Sequence, residues 1–509
     1  METGRRRGGM RAMLLLVLMV MAAAAERSSD VVGVVGAGGG EDEAAAVDED
    51  EERFLKPWKE RAGDGDEEED HLMEWHDGDN DDDDEEEYEE LDGIMLGETT
   101  ARCRAGHSKC RNVVNVDSFG AAGDGTADDT EAFRNAWKKA CSLSNAVLVV
   151  PANRRYKVGT MRFMGPCKEK LVVLIQGAIV APEEPEDWDP ASPRLWLLFG
   201  GLVGARIQGG GIIDGSGSKW WANSCKIDKS KPCRGAPTAV TIDSSRSVRV
   251  RRLRIQNAQQ MHLTVSRSHA VSVSGVIISA PRDSPNTDGI HVSESTAVTI
   301  TSCRIGTGDD CISISNASFA IKMKGIVCDP GHGISIGSLG QGGSYAAVEG
   351  VTLDNARISN AQNGVRIKTW QGGTGYVRDV RFSNVLVEGV DHPIIIDQFY
   401  CDSRTPCQNQ STNVQVSDVM YRNITGTSTR AEAIKFACSE TVPCSDIVLS
   451  NIDLLREDGD ELHTVCNCVM GFDYGPVRPP ADCLRNNVCG GGGGQKIGGE
   501  EPPPLHTEL

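Results

Sequence analysis

Three short segments repeat along the middle of this chain: Asp288-Gly289-Ile290-His291-Val292, Asp310-Cys311-Ile312-Ser313-Ile314 and His332-Gly333-Ile334-Ser335-Ile336. They begin at positions 288, 310 and 332, which is a fixed interval of 22 residues. Within each segment apolar side chains alternate with polar ones, the pattern of a β-strand that has one buried face. A fixed repeat of about 20 to 30 residues with one strand in each repeat is typical of a solenoid.

Similar strands extend the repeat in both directions. They begin 22 to 31 residues apart, at Val240, Leu263, Ile290, Ile312, Ile334, Val365 and Ile394. The alternation predicts one outward column of side chains, formed by Thr241, Thr264, His291, Ser313, Ser335 and Arg366. A β-sandwich could show the same alternation, but regular spacing over this many repeats favours the solenoid. A doubly wound sheet is disfavoured because its parallel strands need connecting helices. We therefore predict an all-β fold, a single-stranded right-handed parallel β-helix.

A helix is predicted before the repeats. Asp129 is placed to cap a helix over residues 130–141, whose apolar side chains fall on one face: Ala132, Phe133, Ala136, Trp137 and Ala140. A solenoid needs a cap over its open end. We therefore predict an N-terminal capping helix.

The N-terminus is typical of a secreted protein. Arg5, Arg6, Arg7 and Arg11 precede an uncharged run that ends at Ala25, a plausible cleavage site. We interpret residues 1–25 as a signal peptide, since the run is short for a membrane anchor, which is the alternative. No other stretch is apolar enough to span a bilayer, so we expect no membrane association after cleavage and an extracellular location.

The negative charge of the chain lies in one segment. The net charge is −21, but residues 41–92 hold 28 Asp and Glu against four Lys and Arg, which leaves +3 for the rest. We expect residues 26–102 to be an acidic disordered segment, either a solvating tail or a pro-segment that mimics a polyanion. Residues 103–489 would form the β-helix domain and 490–509 a disordered Gly/Pro tail. We predict a monomer that binds no nucleic acid.

Seventeen cysteines indicate an oxidising compartment. Short separations suggest six bridges: Cys103/Cys110, Cys225/Cys233, Cys311/Cys328, Cys401/Cys407, Cys438/Cys444 and Cys483/Cys489. The odd total leaves at least one free thiol, for which we choose Cys303. Zinc is the competing interpretation of Cys466, Cys468, Cys483 and Cys489. In a secreted chain the sequons at Asn316, Asn409 and Asn423 are candidate glycosylation sites.

The repeat places titratable groups together. Stacked coils lie roughly 4.8 Å apart, so Asp288, Asp310 and His332 should form one column, with Asp309 beside them. Such a cluster can supply both carboxyl groups that glycosidic cleavage needs. Arg366 and Lys368 follow on the next coil and suit a substrate that carries a carboxylate.

Four motifs in this order resemble those of the polygalacturonases, glycoside hydrolase family 28: Asn286-Thr287-Asp288, Gly308-Asp309-Asp310, Gly331-His332-Gly333 and Arg366-Ile367-Lys368. The similarity covers residues 113 to 489 and looks like the plant branch. It implies the pectin lyase-like β-helix and inverting hydrolysis of α-1,4 bonds in homogalacturonan, without a metal or another cofactor.

The resemblance also implies a role for each residue. Asp309 would be the general acid, Asp288 and Asp310 would activate water, and His332 would tune the proton state of the acid. The other implied residues bind substrate: Asn286, Arg366, Lys368 and the stacking Tyr400. Three alternatives stay open, namely a hydrolase of substituted pectin (xylogalacturonan or rhamnogalacturonan), a non-catalytic pectin-binding wall protein and a calcium-dependent pectate lyase.

Overall fold

The structure is a computed structural model that describes residues 111–188, 194–233, 235–403, 405–486 and Cys489. The predicted signal peptide, the acidic segment, the Cys103/Cys110 pair and the C-terminal tail lie outside the described residues. None of the helices in the described part of the chain has the length and apolar character that crossing a membrane would take.

The described residues are mostly β-strand. The first ten strands are β1 Asn112–Asn115, β2 Asp124–Asp128, β3 Ala146–Val150, β4 Arg155–Lys157, β5 Met161–Met164, β6 Val172–Ile175, β7 Ala178–Val180, β8 Leu195–Gly200, β9 Arg206–Gln208 and β10 Ile212–Asp214. The next ten are β11 Thr238–Asp243, β12 Arg249–Arg251, β13 Arg254–Gln256, β14 Leu263–Ser266, β15 His269–Ser274, β16 Ile277–Ser279, β17 Ile290–Ser293, β18 Thr296–Thr301, β19 Arg304–Gly306 and β20 Ile312–Ile314. The last eleven are β21 Ser318–Cys328, β22 Ile334–Leu339, β23 Tyr345–Ser359, β24 Asn363–Trp370, β25 Thr374–Val390, β26 His392–Tyr400, β27 Gln415–Ser428, β28 Glu432–Ala437, β29 Cys444–Arg456, β30 His463–Asn467 and β31 Val469–Arg478.

Helical segments are few in the described residues. Two are α-helices, α1 Thr130–Cys141 and α2 Ser218–Ala222. Single 3-10 turns occur at Val116–Phe119, Pro185–Asp187, Gln341–Gly343 and Asp482–Leu484.

Eleven strands form what we call the front sheet, in the order β5-β8-β11-β14-β17-β20-β22-β24-β26-β28-β30. Neighbours along this order pair in parallel, and each of them comes from the next coil of the chain. The pairing places Thr241, Thr264, His291, Ser313, Ser335 and Arg366 at successive equivalent positions. The predicted parallel β-helix and its outward column are therefore confirmed.

The core fills the inside of the coils. Ile290, Val292, Ile312 and Ile314 alternate with the outward column and are each 0% exposed. Burying one such side chain contributes roughly 1.5 to 3 kcal/mol relative to leaving it in water. Because every coil adds its own pair to one continuous row, the strand register and the inward face are fixed together.

The helix α1 covers the first coils, as predicted. Its Trp137 packs edge-on against Phe163, which in turn stacks on Phe199 with ring centroids 4.5 Å apart. Asp129 occupies the position before the helix, but the prediction that its side chain caps α1 is wrong. Its carboxylate instead accepts the backbone N–H groups of Ala122 and Gly123, because the preceding glycine-rich turn folds back onto it.

Seven disulfide bonds lie in the described residues. Four predicted pairs are confirmed: Cys225–Cys233, Cys311–Cys328, Cys401–Cys407 and Cys438–Cys444. Cys303 is free and buried, as predicted.

One predicted disulfide is wrong. Cys483 does not pair with Cys489, because the C-terminal coil brings Cys466 to Cys483 and Cys468 to Cys489. These two bonds occupy the four sulfurs considered for zinc. The bond Cys141–Cys167, which joins the end of α1 to the loop after β5, was not predicted because 26 residues separate its ends.

Candidate active site

Asp288, Asp310 and His332 lie one above the other at the edge of the front sheet where strands β17, β20 and β22 begin. The three strands pair in register, Ile290 with Ile312 and Ile312 with Ile334. Backbone hydrogen bonds continue the stack in front of the strands, from Gly289 N to Asp310 O at 2.9 Å and from Cys311 N to Gly333 O at 2.8 Å. The stacking predicted from the 22-residue interval is therefore present.

Two backbone features hold this column. Asn286 adopts the left-handed conformation with φ of 55°, which asparagine tolerates better than most residues with a side chain. Gly333 has φ of 93°, and a Cβ there would lie 2.1 Å from the carbonyl oxygen of Asn363. Only glycine fits this position, so the turn that presents His332 depends on it.

Asp310 is held by two cations. Arg366 Nη2 donates to its Oδ1 at 2.7 Å and Lys368 Nζ to its Oδ2 at 3.0 Å. Ser335 Oγ adds a further bond to Oδ1 at 2.7 Å. All four side chains are buried, with Lys368 only 2% exposed. Burial makes these charge-assisted bonds strong and makes the loss of either cation costly.

Asp309 has different surroundings. Its Oδ1 lies 3.1 Å from His332 Nδ1, and its Oδ2 lies 3.5 Å from Asn286 Nδ2. The backbone N–H of Asp310 donates to the same Oδ1 at 2.7 Å. Asp309 is buried, with 3% of its surface exposed. Even so, no Lys or Arg of the described residues forms an ion pair with its carboxylate. Two adjacent carboxylates therefore differ sharply in their partners.

Asp288 is positioned by a chain of hydrogen bonds. Ser313 Oγ donates to Asp288 Oδ2 at 2.6 Å, and Ser313 itself lies 2.7 Å from His291 Nδ1. Burial lowers the pKa of His291 to about 4, so its ring is neutral in mild acid. The sequence placed Ser313 and Ser335 in the outward column but not their bonds to the carboxylates. The alternation could have indicated these bonds, because it places each serine on the outer face one coil after the aspartate that it contacts.

Tyr400 lies at the far side of the site, at the end of β26. The Lys368 Nζ lies 5.1 Å from the centroid of its ring, and Trp370 packs edge-on at 5.5 Å. The sequence did not indicate Trp370. These contacts bring Tyr400 to the cation pair, while its stacking on a substrate stays a prediction.

Asp309, Asp310 and His332 have ligand atoms within 4.8 Å of one another, which is close enough to consider a metal ion. The surroundings of Asp310 disfavour a metal ion, because both carboxylate oxygens already accept hydrogen bonds, one from Arg366 and one from Lys368. A cation added there would repel the two that are present. This donor set therefore fits an acid–base site better than a metal centre.

This parallel β-helix carries closely placed carboxyl groups on its outer face, and hydrolysis of a glycosidic bond requires such a pair. The family model described as glycosyl hydrolases family 28 matches residues 141–471 of this chain. The chain belongs to this family and is a glycoside hydrolase.

Several plant proteins are similar over most of the chain. A probable polygalacturonase of Arabidopsis thaliana is 44% identical over 386 residues, which are 75% of this chain and 87% of the relative. Polygalacturonase-2 of Solanum lycopersicum is 47% identical over 358 residues, covering 70% of this chain and 78% of the relative.

Solved structures share the fold. The endo-xylogalacturonan hydrolase of Aspergillus tubingensis superposes with a TM-score of 0.60 at 22% identity, over 72% of this chain and 99% of that one. The polygalacturonase of Erwinia carotovora ssp. carotovora gives a TM-score of 0.54 at 20% identity, over 72% of this chain and 100% of that one. At these identities the similarity establishes the parallel β-helix and not the substrate.

Proposed function

We propose that this protein is a polygalacturonase that hydrolyses α-1,4-galacturonosidic bonds of homogalacturonan in pectin with inversion at the anomeric carbon. Family membership and the polygalacturonase names of relatives at 44% and 47% identity support this activity. The structural observation that carries the assignment of roles is the contrast between the two neighbouring carboxyl groups, Asp309 and Asp310.

Asp309 is the general acid in this proposal. It has an imidazole and an amide as side-chain partners, and no Lys or Arg among the described residues pairs with it, so we assign the role of proton donor to it rather than to Asp310. Its proton passes to the glycosidic oxygen as the bond from that oxygen to the anomeric carbon breaks. His332 Nδ1, 3.1 Å from Asp309 Oδ1, is placed to exchange protons with the acid between turnovers.

Asp288 and Asp310 activate the water. Arg366 and Lys368 stabilise the negative charge of Asp310, and Ser313 orients Asp288 through its 2.6 Å bond. One water oxygen attacks the anomeric carbon from the face opposite the leaving group, and its proton passes to a carboxylate of this pair. The new hydroxyl thus has the inverted configuration.

Asn286, Arg366, Lys368 and Tyr400 bind the sugar in this proposal. A guanidinium carries five N–H donors in a fixed fork, so Arg366 is able to contact a galacturonate carboxylate while still bound to Asp310. The seven disulfide bonds of the described residues fit an oxidising, extracellular compartment such as the cell wall. We propose a monomer in that compartment.

The decisive experiment measures reducing ends released from polygalacturonate at mildly acidic pH with a chelator present, for the wild type and Asp309→Asn. We expect release by the wild type, loss in the variant, no ultraviolet absorbance from unsaturated products, and inverted anomers in the first seconds of proton NMR. Absorbance together with calcium dependence would indicate a lyase. Release only from substituted pectin would indicate the other hydrolase class, and binding without release would indicate a wall-binding protein.

A further inference from the structure

Away from the front sheet, the described strands β1, β3, β6, β9 and β12 carry two rows of side chains that point out of the coils, which we call the back rows. In the order of the coils, the first row contains Val113, Val147, Val172, Arg206 and Arg249. The second row lies two residues further along each strand and contains Asn115, Val149, Leu174, Gln208 and Arg251. Both rows therefore change from apolar to basic as they leave the first coils.

Four apolar side chains of the back rows are buried although they point outward. Val147, Val149, Val172 and Leu174 are at most 6% exposed and form a cluster separate from the main core. Among the hydrophobic side chains of the described residues, Val113 alone packs against this cluster, and the buried apolar side chains of α1 belong to the main core instead. Outward apolar side chains are removed from water to this extent only when another apolar group covers them. The cluster therefore requires a covering segment.

The back rows are basic beyond this cluster. From β9 to β25, all of which are described, they contain one carboxylate, Asp354, and six cations: Arg206, Arg249, Arg251, Lys322, Lys324 and Arg381. Asp354 forms an ion pair with Lys324 at 3.5 Å. Arg206 and Arg249 occupy paired positions on adjacent strands, roughly 4.8 Å apart, where like charges repel each other. An anionic partner would relieve this repulsion.

A segment with the matching order of groups precedes the described residues. Four carboxylates lie in Glu87-Tyr88-Glu89-Glu90-Leu91-Asp92, and an apolar run follows in Ile94-Met95-Leu96. Followed backwards from β1, the chain thus presents apolar side chains first and carboxylates next. The back rows show the same order, apolar at β3 and β6 and basic from β9 onwards.

The connection to β1 is long enough for this contact. The described residues begin at Arg111, 15 positions after Leu96, and a chain of that length spans up to about 50 Å when extended. Arg206 lies three strand spacings from Val113, which is roughly 14 Å. The connection therefore reaches the whole apolar cluster and the arginines of β9 and β12.

We propose that residues 87–97 of this chain bind along the back rows. Their apolar side chains cover the cluster of Val147 and Leu174, and their carboxylates pair with the arginines of β9 and β12. The catalytic column belongs to the front sheet, so a segment bound in this way leaves the column open. For residues 87–97 this role replaces both expected ones, the solvating tail and the polyanion mimic. The proposal does not depend on the proposed polygalacturonase function.

The test follows the digestion of the purified protein by thermolysin, which cuts beside Leu, Ile and Met, with cleavage within residues 87–97 measured by mass spectrometry. We expect slow cleavage there in the wild type and cleavage about tenfold faster in Arg206→Glu/Arg249→Glu, because the protease cuts only the released segment. Glu89→Arg/Glu90→Arg should be cleaved faster for the same reason. The four substitutions together should restore slow cleavage, which a general loss of stability would not do.

The matched control is Arg254→Glu/Arg304→Glu. Both arginines are exposed and lie in β13 and β19, outside the back rows, so cleavage within residues 87–97 should stay within about twofold of the wild type. Fast cleavage in the wild type, or no rescue by the combined substitutions, would overturn the proposal.

Other occupants of the back rows would give different results, and each of these results also refutes the proposal. Retention of the wild type on immobilised polygalacturonate that is lost in Arg206→Glu/Arg249→Glu would assign the basic rows to an external polyanion. A dimer in analytical ultracentrifugation that dissociates in the same variant would assign them to a second copy of the chain. A rise in kcat/KM after deletion of residues 87–97 would place that segment in the catalytic site.

Discussion

Lys226 forms an ion pair with Asp402, Nζ to Oδ2 at 3.3 Å, although 176 residues separate them in the chain. Lys226 comes before β11, at the edge where front-sheet strands begin, and Asp402 follows β26, at the edge where they end. The ion pair therefore joins the segment before β11 to the segment after β26. Each partner also directly follows a disulfide-bonded cysteine, Cys225 or Cys401.

Breaking this pair should destabilise the protein. Both side chains are nearly inaccessible, at 6% and 0% exposed, so Lys226→Met removes a cation from the side of a buried carboxylate. We expect the free energy of unfolding to fall by about 3 kcal/mol, measured by urea titration, and the double variant Lys226→Met/Asp402→Leu to recover most of it. Arg357→Met is the control, because Arg357 and Glu388 form an exposed pair and the loss should stay below about 1 kcal/mol. Equal losses at the two sites would show that burial does not set the value of the Lys226 pair.

A second prediction concerns Arg366. Because it donates to Asp310 and to Ser335, its removal should impair the chemical step more than binding. We expect Arg366→Met to lower kcat on polygalacturonate by about 100-fold or more, within the range for loss of acid–base catalysis, with KM changed much less. Lys435→Met is the control, since Lys435 occupies the same column two coils further on and pairs with Glu432. A large rise in KM at constant kcat would mean that Arg366 acts mainly as a substrate ligand.

The sequons provide a third prediction. Asn409 is exposed, whereas Asn423 stacks between two other asparagines, donating to Asn384 Oδ1 at 2.9 Å and accepting from Asn451 Nδ2 at 3.2 Å. A glycan on Asn423 would disturb this ladder, so we expect Asn409 to be modified in a secreting plant cell and Asn423 not. Asn409→Gln should lower the apparent mass by one glycan and Asn423→Gln should leave it unchanged. Mass spectrometry of tryptic glycopeptides checks both, and a glycan on Asn423 would contradict the prediction.

The repeat could be predicted from the sequence because it depends on residues that are close together in the chain. Strand alternation around Ile290, Ile312 and Ile334 fixes both the register and the outward face, so the stack of Asp288, Asp310 and His332 follows from counting residues. Four short disulfides were predictable for the same reason, as in Cys311–Cys328, whose cysteines are 17 positions apart.

Contacts between residues that are far apart in the chain could not be predicted from the sequence. Sequence alternation predicts that Arg366 points outward, but not that it is buried against Asp310, because that depends on side-chain reach between coils. The ion pair of Lys226 with Asp402 depends on where two irregular segments meet, and these segments follow no periodic pattern.

The last prediction concerns His262, which lies buried beneath Asp288. Its Nδ1 lies 3.0 Å from the carbonyl oxygen of Asp288, and its Nε2 faces the backbone N–H of Ala258 at 3.4 Å. The ring therefore donates through Nδ1 and accepts through Nε2, so it is neutral when folded. Burial lowers its pKa from 6.5 to about 4.

The sign of the pH effect follows from this shift. Between pH 6.5 and pH 4 the unfolded chain binds a proton at His262 that the folded chain does not, so acid favours unfolding. The contribution is complete above pH 6.5 and is lost as the pH falls towards 4, at a cost on the order of 3 kcal/mol.

His262→Asn keeps a donor for Asp288 and cannot titrate, so its free energy of unfolding should fall less steeply from pH 7 to pH 4 than that of the wild type. His291 and His392, whose pKa values are also lowered to about 4 by burial, should preserve part of the slope. The control is His269→Asn at an exposed histidine, and a slope equal to that of the wild type in His262→Asn would refute the assignment.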